Sequence, residues 1–395
     1  MPDIKKHLAG REPESSAVLN ALNQLGTCSS DLCTGAMLFG LGGGLGMLYF
    51  LFDLHGGHPV VVGTRYHASE AEAPAFVMQM CEAWGATTEL KHSSSRSAAT
   101  KNLTKMLDEG FTPIVWVEVT KLPYLFLSGH PNTYYTIVVY ERDGNEFIVG
   151  DLGPSVARIS VEELEEVRHS HYAPKFRSLT IKDAPAKPDL REMVTQRIQL
   201  TCSQMLAGLG ISNFGLAAFN KWAGMLTNTK NKKGWSNCFT DGPALHGAMS
   251  SVYGQIELRG FAGSAFRGLY ADFVEQAASV LKKPALKKVA DQFREAEASW
   301  HNIALAALPD SIPVLKKTRD TFERRFTLLQ KPRTAKIDEE LDSIRTRLKE
   351  LRASSAKDLD LSAKDKLDLF SDIRARVLET EAIERVAFTD LNKLV

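Results

Sequence analysis

Residues 133–151 read TYYTIVVYERDGNEFIVGD, and this stretch decides the fold class. β-branched and aromatic residues run up to Asp143-Gly144 and resume beyond it, and an Asp-Gly pair supplies the positive φ that a tight hairpin turn needs. The spacing therefore predicts a β-hairpin. Just upstream, past Pro113, IVWVEV reads as a buried strand, and downstream FRSLTIKD adds another before the linker Ala184-Pro185-Ala186-Lys187-Pro188. The segments that precede them are helical. Ala17, Val18, Ala21, Leu22 and Leu25 recur at helical spacing and Gly26 supplies a stop, while Pro13 suits a first turn flanked by Glu12 and Glu14 on the favourable side of the dipole. Residues 76–84 and 97–109 read as two more helices, each ending at a glycine. Helices followed by antiparallel strands predict an α+β domain over residues 1–184.

After Pro188 strand signals almost vanish. Helical periods run through 190–206, 214–226, 243–258, 265–281 and 285–305, which predicts an all-helical domain over residues 189–306. Residues 307–395 form a further helical extension. Within it Ile337, Leu341, Ile344, Leu348 and Leu351 alternate spacings of four and three, and with a second helix over about 364–392 they make a hairpin, packed on its own chain or joining two chains through residues 336–392.

The run FGLGGGLG at 39–46 needs a separate account. No register satisfies the dinucleotide fingerprint, because counting from Gly40 the third glycine position is Leu45 and from Gly42 it is Met47; nor does the run hold the lysine of a phosphate loop. The uncharged segment between Asp31 and Asp53 approaches the length of a membrane span, but its glycines weaken a helix and aspartates flank it. The reading is a buried turn that leads into the apolar residues 47–52.

Forty-eight basic against 47 acidic residues in 395 provide no overall attraction to nucleic acid or anionic lipid. The first residues lack the apolar segment of a signal peptide, and five cysteines (28, 33, 81, 202, 238) build no disulfide-dense framework, so a reducing cytoplasm is the expected compartment. Cys28 and Cys33 have zinc-like spacing without a second ligand pair and read as two structural thiols. His55 and His58 with Glu12, Glu14 and Asp53 form only a weak metal pattern, and no metal or cofactor is expected. Arg259 and Arg267 bracket a glycine-bearing turn and could clamp a carboxylate or phosphate, or else serve as solvated or interdomain arginines. His246, His301 and the pair His169/His171 have no evident partner.

The segments SSAVLNALNQLG, FGLGGGLG, FTPIVWVEVTKLPY and YYTIVVYERDGNEFIVGDLG resemble the N-terminal domain of the family named for butirosin biosynthesis protein H. NFGLAAFNKWAGML and YGQIELRGFAGSAFRGLYADFVEQAA resemble the uncharacterised helical domain that accompanies it, so the resemblance spans roughly residues 10–305. It implies a papain-like fold whose named enzyme moves an aminoacyl group from an acyl carrier protein to an aminoglycoside amine. Such chemistry uses a cysteine at a helix N-terminus, a histidine base and an orienting Asp or Asn. Ser15, Ala17 and Asn20 fit the family's first-helix pattern, but the cysteine's place falls on Pro13 and the preceding histidine's on Glu12. The base falls on Tyr134 or Tyr135, and Asp151 alone has a counterpart.

The resemblance thus implies a catalytically degenerate relative of carrier-protein-dependent acyltransferases. It would bind a carrier protein, a precursor peptide or a small acylated ligand, or support a paralogous enzyme, in natural-product biosynthesis. Gly42, Gly43 and Gly44 with Tyr49, Tyr134 and Tyr135 would line its pocket, joined by Arg259 and Arg267. The alternative is an active acyltransferase or amide-bond enzyme with relocated groups, for which Asp151 and the neighbouring His130 argue.

Overall fold

The computed structural model describes residues 6–54, 57–65, 75–127, 134–169 and 176–395, with Tyr134 described by its backbone alone. In chain order its first elements are α1 (Pro13–Leu25), α2 (Gly35–Leu41), β1 (Leu48–Leu51), β2 (Val60–Gly63), α3 (Ala75–Trp84), β3 (Thr87–Lys91) and α4 (Arg96–Asp108). Then come β4 (Ile114–Glu118), β5 (Tyr134–Asp143), β6 (Glu146–Gly150), β7 (Ala157–Ser160), α5 (Val161–Arg168) and β8 (Ser178–Asp183). Helices follow: α6 (Arg191–Ala207), α7 (Leu216–Thr227), α8 (Trp235–Cys238), α9 (Gly242–Glu257), α10 (Arg267–Leu281), α11 (Leu286–Ala307), α12 (Pro313–Leu329), α13 (Ala335–Asp358) and α14 (Ala363–Leu394). The chain is α+β, as expected.

Its two compact units do not follow the sequence in order. Residues 1–43, 69–193 and 327–345 form the first, and 44–68, 194–326 and 346–395 the second. Residues 307–395, expected as one extension, divide between them.

The first unit is built on a six-stranded antiparallel sheet in the order β3-β8-β4-β5-β6-β7. The expected hairpin is β5–β6, with Asp143 opposite Glu146 and Gly144 at φ +61° in the turn. On one face Val115, Val117, Ile137, Val139, Phe147 and Val149 pack against Leu103 and Leu107 of α4 and Leu164 and Val167 of α5. Each such side chain, fully buried, contributes about 1.5–3 kcal/mol. α1 packs on the other face, where Tyr140 of β5 donates a hydrogen bond to Asn20 at 2.9 Å. β3 and β7 escape the sequence reading because they are short edge strands whose pattern is only partly buried.

The second unit joins the β1–β2 hairpin to helices. α6, α7, α9, α10 and α11 correspond to the five expected helical periods. The core contains Trp222, Trp235, Trp300, Tyr270, Phe293 and Phe388, all at most 2% exposed. The outer edge of β2 is closed by Gln255 of α9, whose side chain accepts from the Val62 N–H and donates to the Val60 carbonyl. Among the described residues no helix is long and apolar enough to cross a membrane.

The stripe on α13 is covered within this chain: Leu341, Ile344 and Leu351 are buried and Ile337 and Leu348 half-buried.

Candidate functional site

At the start of α1 Glu12 is the N-cap and Pro13 the first helical residue. The first N–H groups of a helix have no partner within it, so a side-chain oxygen placed there is stabilising by about 0.5–2 kcal/mol. Glu12 supplies two such oxygens. Its carboxylate accepts from the Ser15 N–H at 2.7 Å and the Glu14 N–H at 3.3 Å, and the residue is only 3% exposed. The anion-binding end of α1 is therefore filled by the chain's own anion, and the adjacent position carries no nucleophile.

Asp151 follows directly on β6. Tyr135 donates its hydroxyl to Asp151 Oδ1 at 2.5 Å, and the Leu152 N–H donates to the same oxygen at 2.7 Å. Burial of the carboxyl pushes its pKa up to about 6, against the pull of the Tyr135 hydroxyl, the Leu152 N–H and the nearby Tyr124 hydroxyl. Asp151 Oδ2 and the Tyr124 hydroxyl are enclosed and close enough to perturb one another, yet neither has a well-formed hydrogen bond. Burial likewise raises the Tyr124 phenol well above its ordinary range. Tyr135 and Tyr124 pack on the α4–α5 face of the sheet, whereas Glu12 and Pro13 belong to α1 on the other. The structure thus brings two of the expected site residues, Tyr135 and Asp151, into contact, while Glu12 and Pro13 head α1. A neutral phenol held on a carboxylate orients that carboxylate but is no base at neutral pH.

Tyr134 pairs with Glu118 across the ladder, and its side chain lies outside the described residues, as does His130. Glu118 is itself buried, accepting from Thr120 and facing Lys121 Nζ at 3.4 Å.

A histidine unnoticed in the sequence stands beside this region. His7 Nδ1 meets the Tyr140 hydroxyl at 2.6 Å and its Nε2 meets the Gly153 carbonyl at 2.9 Å. Asn20 holds the same segment, accepting from the Leu8 N–H and donating to the Leu8 carbonyl. Burial lowers the His7 pKa. The residue lies 133 positions from Tyr140 in a segment without periodicity, so nothing local signals the contact.

Several expected ligand-binding residues are used for packing instead. Tyr49 is 1% exposed, stacks on Trp222 at 6.2 Å between ring centroids, and accepts from Trp235 Nε1 at 2.8 Å. Arg267 is fully buried: Nε and Nη2 donate to Glu384, Nη2 also to the Gly46 carbonyl, and Nη1 to the carbonyls of Ala265 and Thr64. Its guanidinium also lies 4.7 Å from the Trp300 ring centroid. No N–H is left to clamp a ligand. Arg259 is half-buried in the turn after α9.

The glycine run is partly helical, which corrects its reading as a turn throughout. Thr34 caps α2 through the Met37 N–H, and Gly42 closes the helix. Gly43 has φ +107°, and a Cβ on Gly44, at φ +60°, would stand 2.6 Å from Tyr270 Cε2. Backbone conformation and close approach explain these glycines.

The cysteines need a second correction. Cys28 and Cys33 form a disulfide, because the turn after Gly26 brings their Cα atoms to 5.5 Å. Cys81, Cys202 and Cys238 are buried thiols, the first two pushed up to about 12 by desolvation and the third also raised. No cysteine is an activated nucleophile.

Several other described histidines have partners. His246 bonds Thr318, His301 faces Glu257 at 3.1 Å, and His169 contacts Arg96 while stacking on Phe176. His58 lies 3.7 Å from Asp53 on the surface, His55 and His171 fall outside the described residues, and among the described residues no metal-ligating cluster occurs.

Residues 12–152 match the family model described as Butirosin biosynthesis protein H, N-terminal, and residues 162–317 match a domain of unknown function, DUF4872. No curated protein matches the chain. The two matches adjoin and cover the hairpin, the first helix and most of the helical region, and the chain accordingly belongs to a butirosin biosynthesis protein H-like family that carries an additional C-terminal domain.

Proposed function

We propose that this chain is a catalytically degenerate member of an acyltransferase-like biosynthetic family, with a papain-like arrangement of α1 against its antiparallel sheet. It binds an acylated carrier protein, a precursor peptide or a small acylated ligand, or supports a paralogous enzyme, in natural-product biosynthesis. One observation carries the reading: the α1 N-terminus holds the buried Glu12 carboxylate and Pro13. Papain-type acyl transfer needs a thiolate at that end of the helix and a region of positive potential for the oxyanion. A fixed carboxylate there opposes both, and proline offers no atom to acylate.

The disulfide and the three desolvated thiols support the same reading, since none can replace the missing cysteine. Binding to immobilised chain of acylated carrier protein, unacylated carrier protein and a small acyl thioester tests it. Saturable binding of an acylated species is expected. If none of the three binds, and no homologous enzyme gains activity when the chain is added, the proposal is wrong.

A further inference from the structure

Residues 318–395 lie outside both family matches, yet part of this segment belongs to the first unit. After α12 the chain crosses the turn at 151–155 and the loop at 119–126. Leu329 O lies 3.1 Å from where a Gly153 Cβ would stand, and the Arg333 N–H donates to Ser155 Oγ at 3.2 Å. Arg333 Nη2 donates to the Tyr124 carbonyl at 2.7 Å. Phe126, two residues on, has φ +50°, a conformation that costs a non-glycine residue about 1–3 kcal/mol unless its surroundings hold it. Two cations flank its ring: Arg333 and Arg345 lie 5.9 and 6.0 Å from the ring centroid. Asp338 and Asp342 pair with these arginines from the same strap.

We infer that residues 327–345 are a strap that keeps Tyr124 over the Asp151 carboxyl and so closes this side of the family domain from outside it, with Arg333 as its pin. Tyr124 is the link, because its carbonyl is held by Arg333 while its enclosed hydroxyl lies close enough to the Asp151 carboxyl for the two groups to perturb one another. The strained Phe126 makes the closure a two-position device, since its backbone can relax once the arginines leave. This holds whether or not the chain transfers an acyl group.

The test uses the full chain with Arg333→Ala and Arg345→Ala together, with Arg347→Ala as control because Arg347 is exposed and pairs with Glu350 on its own helix. Loss of one charge-assisted hydrogen bond and two cation–π contacts should speed amide exchange at 119–126 and 151–155 by at least ~10-fold. It should also let water reach Asp151, so that its carboxyl, followed by carbon-detected NMR, titrates closer to the ordinary ~4 than to about 6. Phe126→Ala, which keeps the arginines and the strained backbone but removes the ring they contact, should produce the same two changes if the double variant does not fold. Exchange and titration unchanged in a folded variant, or changed equally by Arg347→Ala, would overturn the inference.

Discussion

Asp151 in the first unit and Glu384 in the second are both carboxylates enclosed by protein, and their surroundings differ. Glu384 takes two bonds from Arg267 and a third from Trp300 Nε1 at 2.5 Å, and Arg267 spends its remaining donors on backbone carbonyls. Asp151 meets only neutral donors and leaves one oxygen without a well-formed bond. A charge buried with its counter-charge is a fixed part of the fold, because removing either member strands the other. A charge buried among neutral groups can still change protonation near neutral pH, and such groups collect at functional sites. The comparison marks Asp151, and neither Arg267 nor Glu384, as the residue to probe for function.

The largest effect should follow from breaking the paired charge. Glu384→Ala leaves Arg267 buried and unpaired and should destabilise the second unit by about 3–5 kcal/mol in denaturant unfolding. A loss under about 1 kcal/mol would show that the pair is not enclosed as described. Gly44→Ala comes next, adding a methyl 2.6 Å from Tyr270 at φ +60°; strain and overpacking should cost roughly 2–4 kcal/mol. A neutral result would reopen the glycine run to a role in binding.

Asp151 provides the contrasting case. Its folded pKa is raised above the unfolded value, so protonation favours the folded state, and its contribution to stability is lost as pH rises from about 4 through about 6. Relative to Asp151→Asn, the native protein should therefore gain on the order of 2–3 kcal/mol between pH 7 and pH 4. His7 and His246 act in the reverse sense, their pKa values being lowered by burial, the latter to about 4, so that they lose stability as pH falls below 6.5. The difference between the two proteins isolates the carboxyl; a pH-independent difference would mean that Asp151 titrates normally.

The smallest effect concerns the disulfide. Closing a loop with a sequence separation of five restricts the unfolded chain by about 2 kcal/mol, and Cys28→Ser with Cys33→Ser should lose roughly that amount. Alkylation of the native protein without reductant should leave both residues unmodified. Ready labelling of either would restore the separate thiols.

Much of this was legible in the sequence. The β5–β6 hairpin is announced by Asp143-Gly144 between β-branched runs, and the helices of the second unit by periods long enough to average out exceptions. α2 was hidden because seven residues with two glycines look like a turn. The disulfide was hidden because spacing alone does not show that the chain doubles back after Gly26. The site was half legible: the register that puts Pro13 at the head of α1 could be counted, but strand alternation that carries Tyr135 to the face away from α1, and the capture of Tyr49 and Arg267 by a core assembled from distant segments, depend on long-range packing.

If the Glu12 carboxylate and Pro13 stand where the family's reaction centre would be, as proposed, the α1 N-terminus performs no covalent chemistry. Intact-mass measurement of the native chain, incubated with an acyl thioester and an amine acceptor, tests this most directly. An unmodified protein mass and acyl-amine product no faster than in buffer alone are expected. A protein mass increased by one acyl group, or product formed above that background and abolished by a single substitution in the first unit, would contradict it.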